Sequence, residues 1–466
     1  MDIDSLKPFF QPERVALLGA TQKFGFGYGQ TKTLINQGLG DRLFLVNPSQ
    51  QAVFGTKCYP SVRELPVEVD LAVLIVPAKV IPSALKDCAG RGVKAAIVQS
   101  AGFAETGPEG KKLQDEMVAV AKEHGIRIIG PNCMGVVNTA NGFTTTETVE
   151  EALRPGSIGT IAQSGVFASI LMDVAPERGV RFSKVITMGN RSDVDETDLI
   201  TYLLNDEQTK VIALYLEGVR DGERFLRTVR SATRRKPVVV LKGGRTPAGR
   251  AATLSHTGSL SGEDEIYSGA FAQSGIMRVR ELEELLDLSK ALAVQPVPRG
   301  RRVAIVTTSG SVGAMTVDMC TDLGLIPAEL SSDTVRSVRS TAPAWMNVRN
   351  PLDVGPSQLF FKGVEAVMRD PNVDGVIAVL LIPWMVVEAI RALGIEIGHS
   401  LADLSGIRGL LKQKPLLFSM IGTRELKELV QDVLGEDIPI LSSPENAARV
   451  FSHMARYGDM LAGSPA

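Results

Sequence analysis

The stretch Ile158-Gly-Thr-Ile-Ala-Gln-Ser-Gly165 (IGTIAQSG) decides the fold. Its first five residues form an apolar, partly β-branched run closed by small residues, which reads as a buried strand over Ile158–Ala162. Gln163-Ser164-Gly165 then turns the chain. Val166, Phe167, Ile170, Leu171 and Val174 follow at helical spacing, with Ser164 in the place of an N-cap. The same order returns at Val303–Gly310 (VAIVTTSG) and, more loosely, at Arg14–Thr21, where the strand runs into Gly19-Ala20-Thr21. Strands that alternate with helical periodicity predict βαβ units and parallel sheets.

Working outward, the pattern fills the chain as three α/β domains, expected at 1–145, 150–293 and 301–466. The first has strand candidates Arg14–Leu18, Leu43–Val46, Asp70–Val76, Lys94–Gln99 and Ile126–Ile129. Helix candidates Lys79–Arg91 and Gly110–His124 lie between them, in a doubly wound mononucleotide-binding layout. After the polar stretch Asn141–Pro155 come Ile158–Ala162, Lys184–Thr187, Val211–Leu216 and Pro237–Leu241. After a linker at Ala293–Arg302, which carries Pro296, Pro298 and Gly300, come Val303–Thr307, Gly375–Ile382, Pro415–Met420 and Pro439–Leu441. The last two segments echo one another: VIALYLEG from 211 matches VIAVLLIP from 376, and KPVVVLKGG from 236 matches KPLLFSMIG from 414. Either a duplication or the general likeness of such sheets accounts for this.

Composition narrows the function. Among 466 residues, 50 Lys and Arg balance 52 Asp and Glu, which argues against a dedicated nucleic-acid or membrane-surface binder. Aromatics at 5% disfavour a stacking platform for single strands. Cys58, Cys88, Cys133 and Cys320 are scattered, without a CxxC or a Cys/His cluster, so neither a disulfide scaffold nor a structural zinc site is expected. The start, MDIDSLKPFF, has no apolar signal core, and the longest apolar run, Val376–Val387, is broken by Pro383. A cytoplasmic, soluble protein is expected. Glycine, at 45 residues, is in excess.

Glycine turns at helix starts present backbone N–H groups and the positive end of a helix dipole, which favours phosphate. At the first such turn an NAD site wants a carboxylate at the end of the next strand, but LFLV ends in Asn47-Pro48-Ser49. A ligand with a ribose phosphate, such as coenzyme A, would be repelled by a carboxylate there and fits better. Of four histidines, His124, His399 and His453 read as solvated or capping. His256 instead lies in a small polar loop, Ser255–Ser259, ahead of a helix expected to start at Ser261 with Asp264 as its capping-box acid. A nucleophilic imidazole needs its second nitrogen held, usually by a carboxylate. Glu217 ends the strand Val211–Leu216, where sites form in parallel sheets.

The motifs YLEGVRDG (215–222), SHTGSLSG (255–262), MGNRSDVDETDL (188–199), VPA (76–78), SAGF (100–103) and GPNCMG (130–135) resemble those of the NDP-forming acyl-CoA synthetases, the superfamily of succinyl-CoA synthetase. Among them the chain is most similar to the α subunit of the ADP-forming acetyl-CoA synthetases. The resemblance implies a Rossmann-like CoA-binding domain followed by two flavodoxin-like domains. It implies a phosphohistidine at His256 oriented by Glu217, and phosphate-binding turns at Ser164, Gly165 and at Ser309, Gly310, Ser311. It implies a CoA site lined by Gly19, Ala20, Thr21, Val46, Asn47, Pro48, Val76, Pro77, Ala78, Ser100, Ala101, Gly102 and Asn132. A small carboxylic acid would be the other substrate. No Walker A sequence occurs, and the resemblance implies that nucleotide and Mg²⁺ bind a separate ATP-grasp β subunit in an α2β2 assembly, with no metal ligands on this chain. Ala162 stands where relatives often have Ser, Ser49 where a basic residue is common, and Ser309–Gly313 replaces a Gly-Gly-Pro-Gly turn. A CoA-binding regulator of the same fold is the alternative, and a nicotinamide oxidoreductase, disfavoured by Asn47, a distant third.

Overall fold

A computed structural model describes residues 3–257, 262–355, 359–392 and 404–463. The chain forms two compact units, Met1–Arg280 and Glu281–Ala466.

The first unit holds two seven-stranded sheets. In one, Val15–Leu18 lies between Leu43–Val46 and Leu71–Leu74, parallel to both. Ala95–Val98 and Arg127–Ile129 extend it on one side, and the short hairpin Ala52–Val53/Thr56–Tyr59 completes the other. Every residue of Val15–Leu18, Leu43–Val46, Leu71–Leu74 and Ala95–Val98 is buried, as expected where both faces are covered. The strand order reverses beside Val15–Leu18, so a crevice opens at its carboxyl end, where the Gly19 turn begins.

In the second sheet Ile158–Ala162 occupies the corresponding place, parallel to Phe182–Thr187 and Val211–Leu216. Val238–Lys242 and Met277–Val279 extend it. The opposite edge is a finding against expectation. Val136–Asn138 runs antiparallel to Phe182–Thr187 and pairs with Phe143–Thr144, so residues placed with the first domain and its polar exit belong to the second sheet. These strands are too short to leave a period in the sequence. Burial holds them, and the Asn138 amide donates to the Phe10 carbonyl at 3.0 Å. Both sheets share one apolar core, in which Phe10 stacks on Tyr202 with ring centroids 4.5 Å apart.

In the second unit Arg302–Thr307 is parallel to Gly375–Leu381, which continues to Leu416–Ile421 and Ile440–Leu441. Helix Leu282–Val294 belongs to this unit, ahead of the expected linker. It is tied to the last helix, Pro444–Leu461, by Asp287, whose carboxylate accepts from Ser442 N at 2.9 Å and from the Asn446 amide.

The backbone around His256 also departs from the expected loop. Pro247–Thr257 is helical, begun by a proline whose fixed φ suits a first turn and continued by alanines. Residues 258–261 lie outside the described residues. The next helix begins at Asp264 after Glu263, with no side-chain cap, rather than at Ser261.

Candidate active site

The register of the second sheet places Ala162 opposite Tyr215, and Leu216 opposite Lys242. The residues that follow, Gln163 and Glu217, therefore meet at one carboxyl edge, with Lys242 beside them. Glu217 is 2% exposed. Its backbone N–H donates to Gln163 Oε1 at 2.9 Å, and the same oxygen accepts from Gly218 N at 3.2 Å. The Glu217 carbonyl accepts from Lys242 Nζ at 2.7 Å. The Glu217 carboxylate accepts from the Tyr215 hydroxyl at 3.3 Å, and the Tyr215 ring stacks on Phe167 at 4.0 Å between centroids. Val219 N donates to the Tyr267 hydroxyl at 3.1 Å. A buried strand exit would strand its backbone groups. Here side chains from several elements satisfy them, which leaves the carboxylate in one place.

Charge follows burial. Lys242 is nearly covered, and its ammonium lies over the Tyr267 ring at 4.6 Å. Burial, helped by Arg278, pulls its pKa down to about 8 against the opposing charges of Asp264 and Glu217. Burial, reinforced by Glu217, pushes the Tyr215 hydroxyl up to about 12, so it stays a donor.

Ser164 caps helix Gly165–Val174, its hydroxyl accepting from Phe167 N at 3.4 Å. Gly165 is packed so closely that a Cβ would stand 2.4 Å from Met134 Cγ. Gln163, Ser164, Gly165 and Val166 form one wall of a cavity of about 200 Å³. Ala101, Asn132 and Phe26 of the first-sheet region form the other. Thus one space joins the phosphate-turn candidates to two of the CoA-site candidates.

The other CoA-site candidates gather at the carboxyl ends of the first sheet. Gly19 has φ +96°, and a Cβ there would lie 2.9 Å from the Ile75 carbonyl oxygen. Asn47, next to Val46 and Pro48, donates from Nδ2 to the Ala20 carbonyl at 2.8 Å, and its Oδ1 accepts from Ser49 N at 2.9 Å. Thr21 N donates to Thr31 Oγ1 at 3.2 Å. Ser100 Oγ donates to the Val76 carbonyl at 2.6 Å, beside Pro77 and Ala78, and Asn132 N donates to the Ser100 carbonyl at 2.9 Å. Gly102, at φ +106°, donates to Glu105 Oε1 at 2.6 Å. The bonds join these candidates in two groups, Ala20 with Asn47, and Val76 with Ser100 and Asn132.

In the second unit Ser309 precedes helix Gly310–Asp322 without capping it, and its hydroxyl lies 3.0 Å from that of Ser311. A Cβ on Gly310 would be 2.7 Å from Asp353 Oδ2, so a carboxylate of the chain itself already faces this helix start. The backbone of His256 is in helix Pro247–Thr257, and its side chain lies outside what is described. Gln163, Tyr215, Lys242 and Tyr267 were missed as site residues by sequence reasoning. The one signal for Gln163 was its place directly before Ser164.

Two family models match the chain: a CoA binding domain over residues 13–139 and a succinyl-CoA ligase like flavodoxin domain over 155–292. The α subunit of acetate–CoA ligase [ADP-forming] II from Pyrococcus furiosus is 37% identical, over 94% of this chain and 95% of its own. Acetate–CoA ligase [ADP-forming] II from Archaeoglobus fulgidus is also 37% identical over 98% of this chain, which spans 67% of that longer relative. For ligase I of the same organism the share is 64%, so the chain covers about two thirds of these relatives. Among solved structures, acetyl-coenzyme A synthetase 1 of Ca. Korarchaeum cryptofilum, in complex with phosphate and ADP, is similar at a TM-score of 0.87 and 28% identity, covering 99% of both chains. A Pyrococcus horikoshii protein reaches 0.86 at 31% identity, covering 98% of this chain and 99% of its own. The chain, which matches the α subunits of ADP-forming acetate–CoA ligases along nearly their whole length, belongs to the NDP-forming acyl-CoA synthetases.

Proposed function

We propose that this chain is the α part of an NDP-forming acyl-CoA synthetase that interconverts acyl-CoA, phosphate and NDP with a small carboxylic acid, CoA and NTP. In the forward sense a phosphate oxygen attacks the thioester carbon and the CoA thiolate leaves, giving an acyl phosphate. An imidazole nitrogen of His256 then attacks phosphorus and the carboxylate leaves. Finally an NDP oxygen takes the phosphoryl group from the imidazole. Glu217 holds the second imidazole nitrogen in one tautomer, and the helix start at Ser164 and Gly165 stabilises the transferred charge. The supporting observation is the shared oxygen of Gln163. By accepting from Glu217 N and Gly218 N it joins the phosphate turn to the carboxylate, beside a cavity that reaches Ala101 and Asn132.

On this reading residues 1–145 hold CoA, 150–293 carry the phosphohistidine chemistry and 301–466 form a second flavodoxin-like domain in which Ser309, Gly310 and Ser311 are a further phosphate-binding candidate. Nucleotide and Mg²⁺ bind an ATP-grasp β subunit in an α2β2 assembly, and the protein works in the cytoplasm.

The test incubates the full chain with acetyl-CoA and labelled inorganic phosphate. Acid-labile label is expected on the wild type and absent from His256→Ala. Label retained by the variant overturns the assignment of His256. CoA binding without any label favours a regulatory protein of the same fold.

A further inference from the structure

The motif MGNRSDVDETDL (188–199) has no role in the chemistry above, yet Arg191, Asp195, Glu196 and Asp198 are only 8%, 5%, 0% and 3% exposed. Buried ion pairs give little net stability, because desolvation offsets their attraction, and their best-attested use is to fix geometry. What this motif fixes can be read from its bonds.

On one side it grips the segment leading to Asn132. Asn190 N donates to the Pro131 carbonyl at 2.9 Å, Ser192 N to the Gly130 carbonyl at 3.0 Å, and Val194 N to the Ile128 carbonyl at 3.1 Å. Gly189 sits so close that a Cβ would lie 2.1 Å from the Pro131 oxygen. On the other side it grips the turn after Glu217. Arg191 Nη1 donates to the Gly218 carbonyl at 2.7 Å and pairs with Glu196 Oε2 at 3.1 Å. The other Glu196 oxygen accepts from Arg220 N at 3.1 Å, and Arg220 returns its guanidinium to the carbonyls of Arg191 and Ser192 at 3.0 and 3.1 Å. The helix that carries Glu196 is pinned in turn by Asp195, which caps it and pairs with Arg224 at 2.8 Å.

We propose that the Arg191–Glu196 pair is a positioning device that holds the Glu217 turn in register with the Ile128–Asn132 segment, so that the carboxylate and the CoA side of the cavity keep one geometry. This rests on the proposed function and adds two residues that act on the Glu217 turn through the Gly218 carbonyl and Arg220 N. Gln163 and Lys242 hold the same turn from the sheet side, at Glu217 N, Gly218 N and the Glu217 carbonyl. Arg191 and Glu196 hold it from the opposite side, at the Gly218 carbonyl and Arg220 N. Loss of the pair therefore frees one side of the turn without removing the carboxylate.

The experiment uses the full chain with acetyl-CoA and labelled inorganic phosphate, and reads the maximal rate of acid-labile labelling, the half-saturating acetyl-CoA concentration and the CoA dissociation constant. Glu196→Gln keeps the shape and one acceptor but removes the charge that aligns Arg191. Its maximal rate is expected to fall at least about tenfold, with CoA affinity within twofold of wild type. Arg191→Lys is expected to recover part of the rate that Arg191→Met loses, and it carries the test if Glu196→Gln does not fold. A labelling rate unchanged in Glu196→Gln, or CoA affinity and rate lost in proportion in all three variants, overturns the proposal. Absence of label from the wild type itself overturns the function on which the proposal rests, and the proposal with it.

Discussion

Glu217 shows how much one residue's environment adds to its identity. As a strand-terminal acid it was visible in the sequence. Its amide held by Gln163, its carbonyl held by Lys242 and its carboxylate bonded by Tyr215 were not, because a side chain reaching a distant backbone group leaves no period. Glu217→Gln should slow phosphorylation of His256 about a hundredfold, as expected when an oriented acid–base partner is lost, while the CoA dissociation constant stays within a few-fold; rapid-quench labelling and calorimetry check the two halves. Lys290 offers a test of buried charge away from the site. It is 4% exposed, and burial pulls its pKa down to about 8 despite Asp287 and Glu436. Between about pH 8 and the ordinary lysine value the unfolded chain holds the proton and the folded chain does not, so this group's contribution to stability grows as pH rises and is lost as pH falls through 8. The unfolding free energy of wild type minus that of Lys290→Met should therefore increase by roughly 3 kcal/mol over that window, measured by urea titration at several pH values. A flat difference would contradict it.

At the scale of elements, the strand–turn–helix units were legible because a buried parallel strand is an apolar run and its helix an amphipathic one. Helix Pro247–Thr257 was not, since its glycine and arginine suggested a loop while proline at the first turn and the alanines favoured helix. The edge hairpin of the second sheet was also hidden, its strands being three and two residues long. Where a turn's backbone approaches another strand, the glycine is demanded by space. Gly19→Ala would force a Cβ to 2.9 Å from the Ile75 oxygen at φ +96°, and should cost roughly 1–3 kcal/mol of stability together with at least tenfold in CoA affinity; urea unfolding and titration with CoA would show it. Stability and affinity both unchanged would mean that the turn adjusts.

The whole molecule divides at Arg280/Glu281, and the first unit alone contains the CoA-site candidates of the first sheet, the turn at Ser164, the cavity and Glu217. A fragment of residues 1–280 should therefore fold cooperatively and bind CoA within about fivefold of the full chain, since all its strands find their partners inside it. Circular dichroism and calorimetry test this; a fragment that folds but does not bind CoA would place part of the site elsewhere. The second unit has its own apolar core and its own glycine turn, where Asp353 faces Gly310, a feature invisible at a separation of 43 residues.

By itself the sequence determined the α/β class, the strand–turn–helix order, the exclusion of a carboxylate at Asn47 and the candidates His256 and Glu217. Each of these depends on neighbours along the chain, whose spacing is visible in one dimension. Only the tertiary structure decided that Gln163 joins the Ser164 turn to Glu217, that Val136–Phe143 serves the second sheet, and that Arg191 and Glu196 lie between Glu217 and the segment of Asn132. Those outcomes depend on sheet register and on burying charges in pairs, which bring together residues that the chain keeps tens of positions apart.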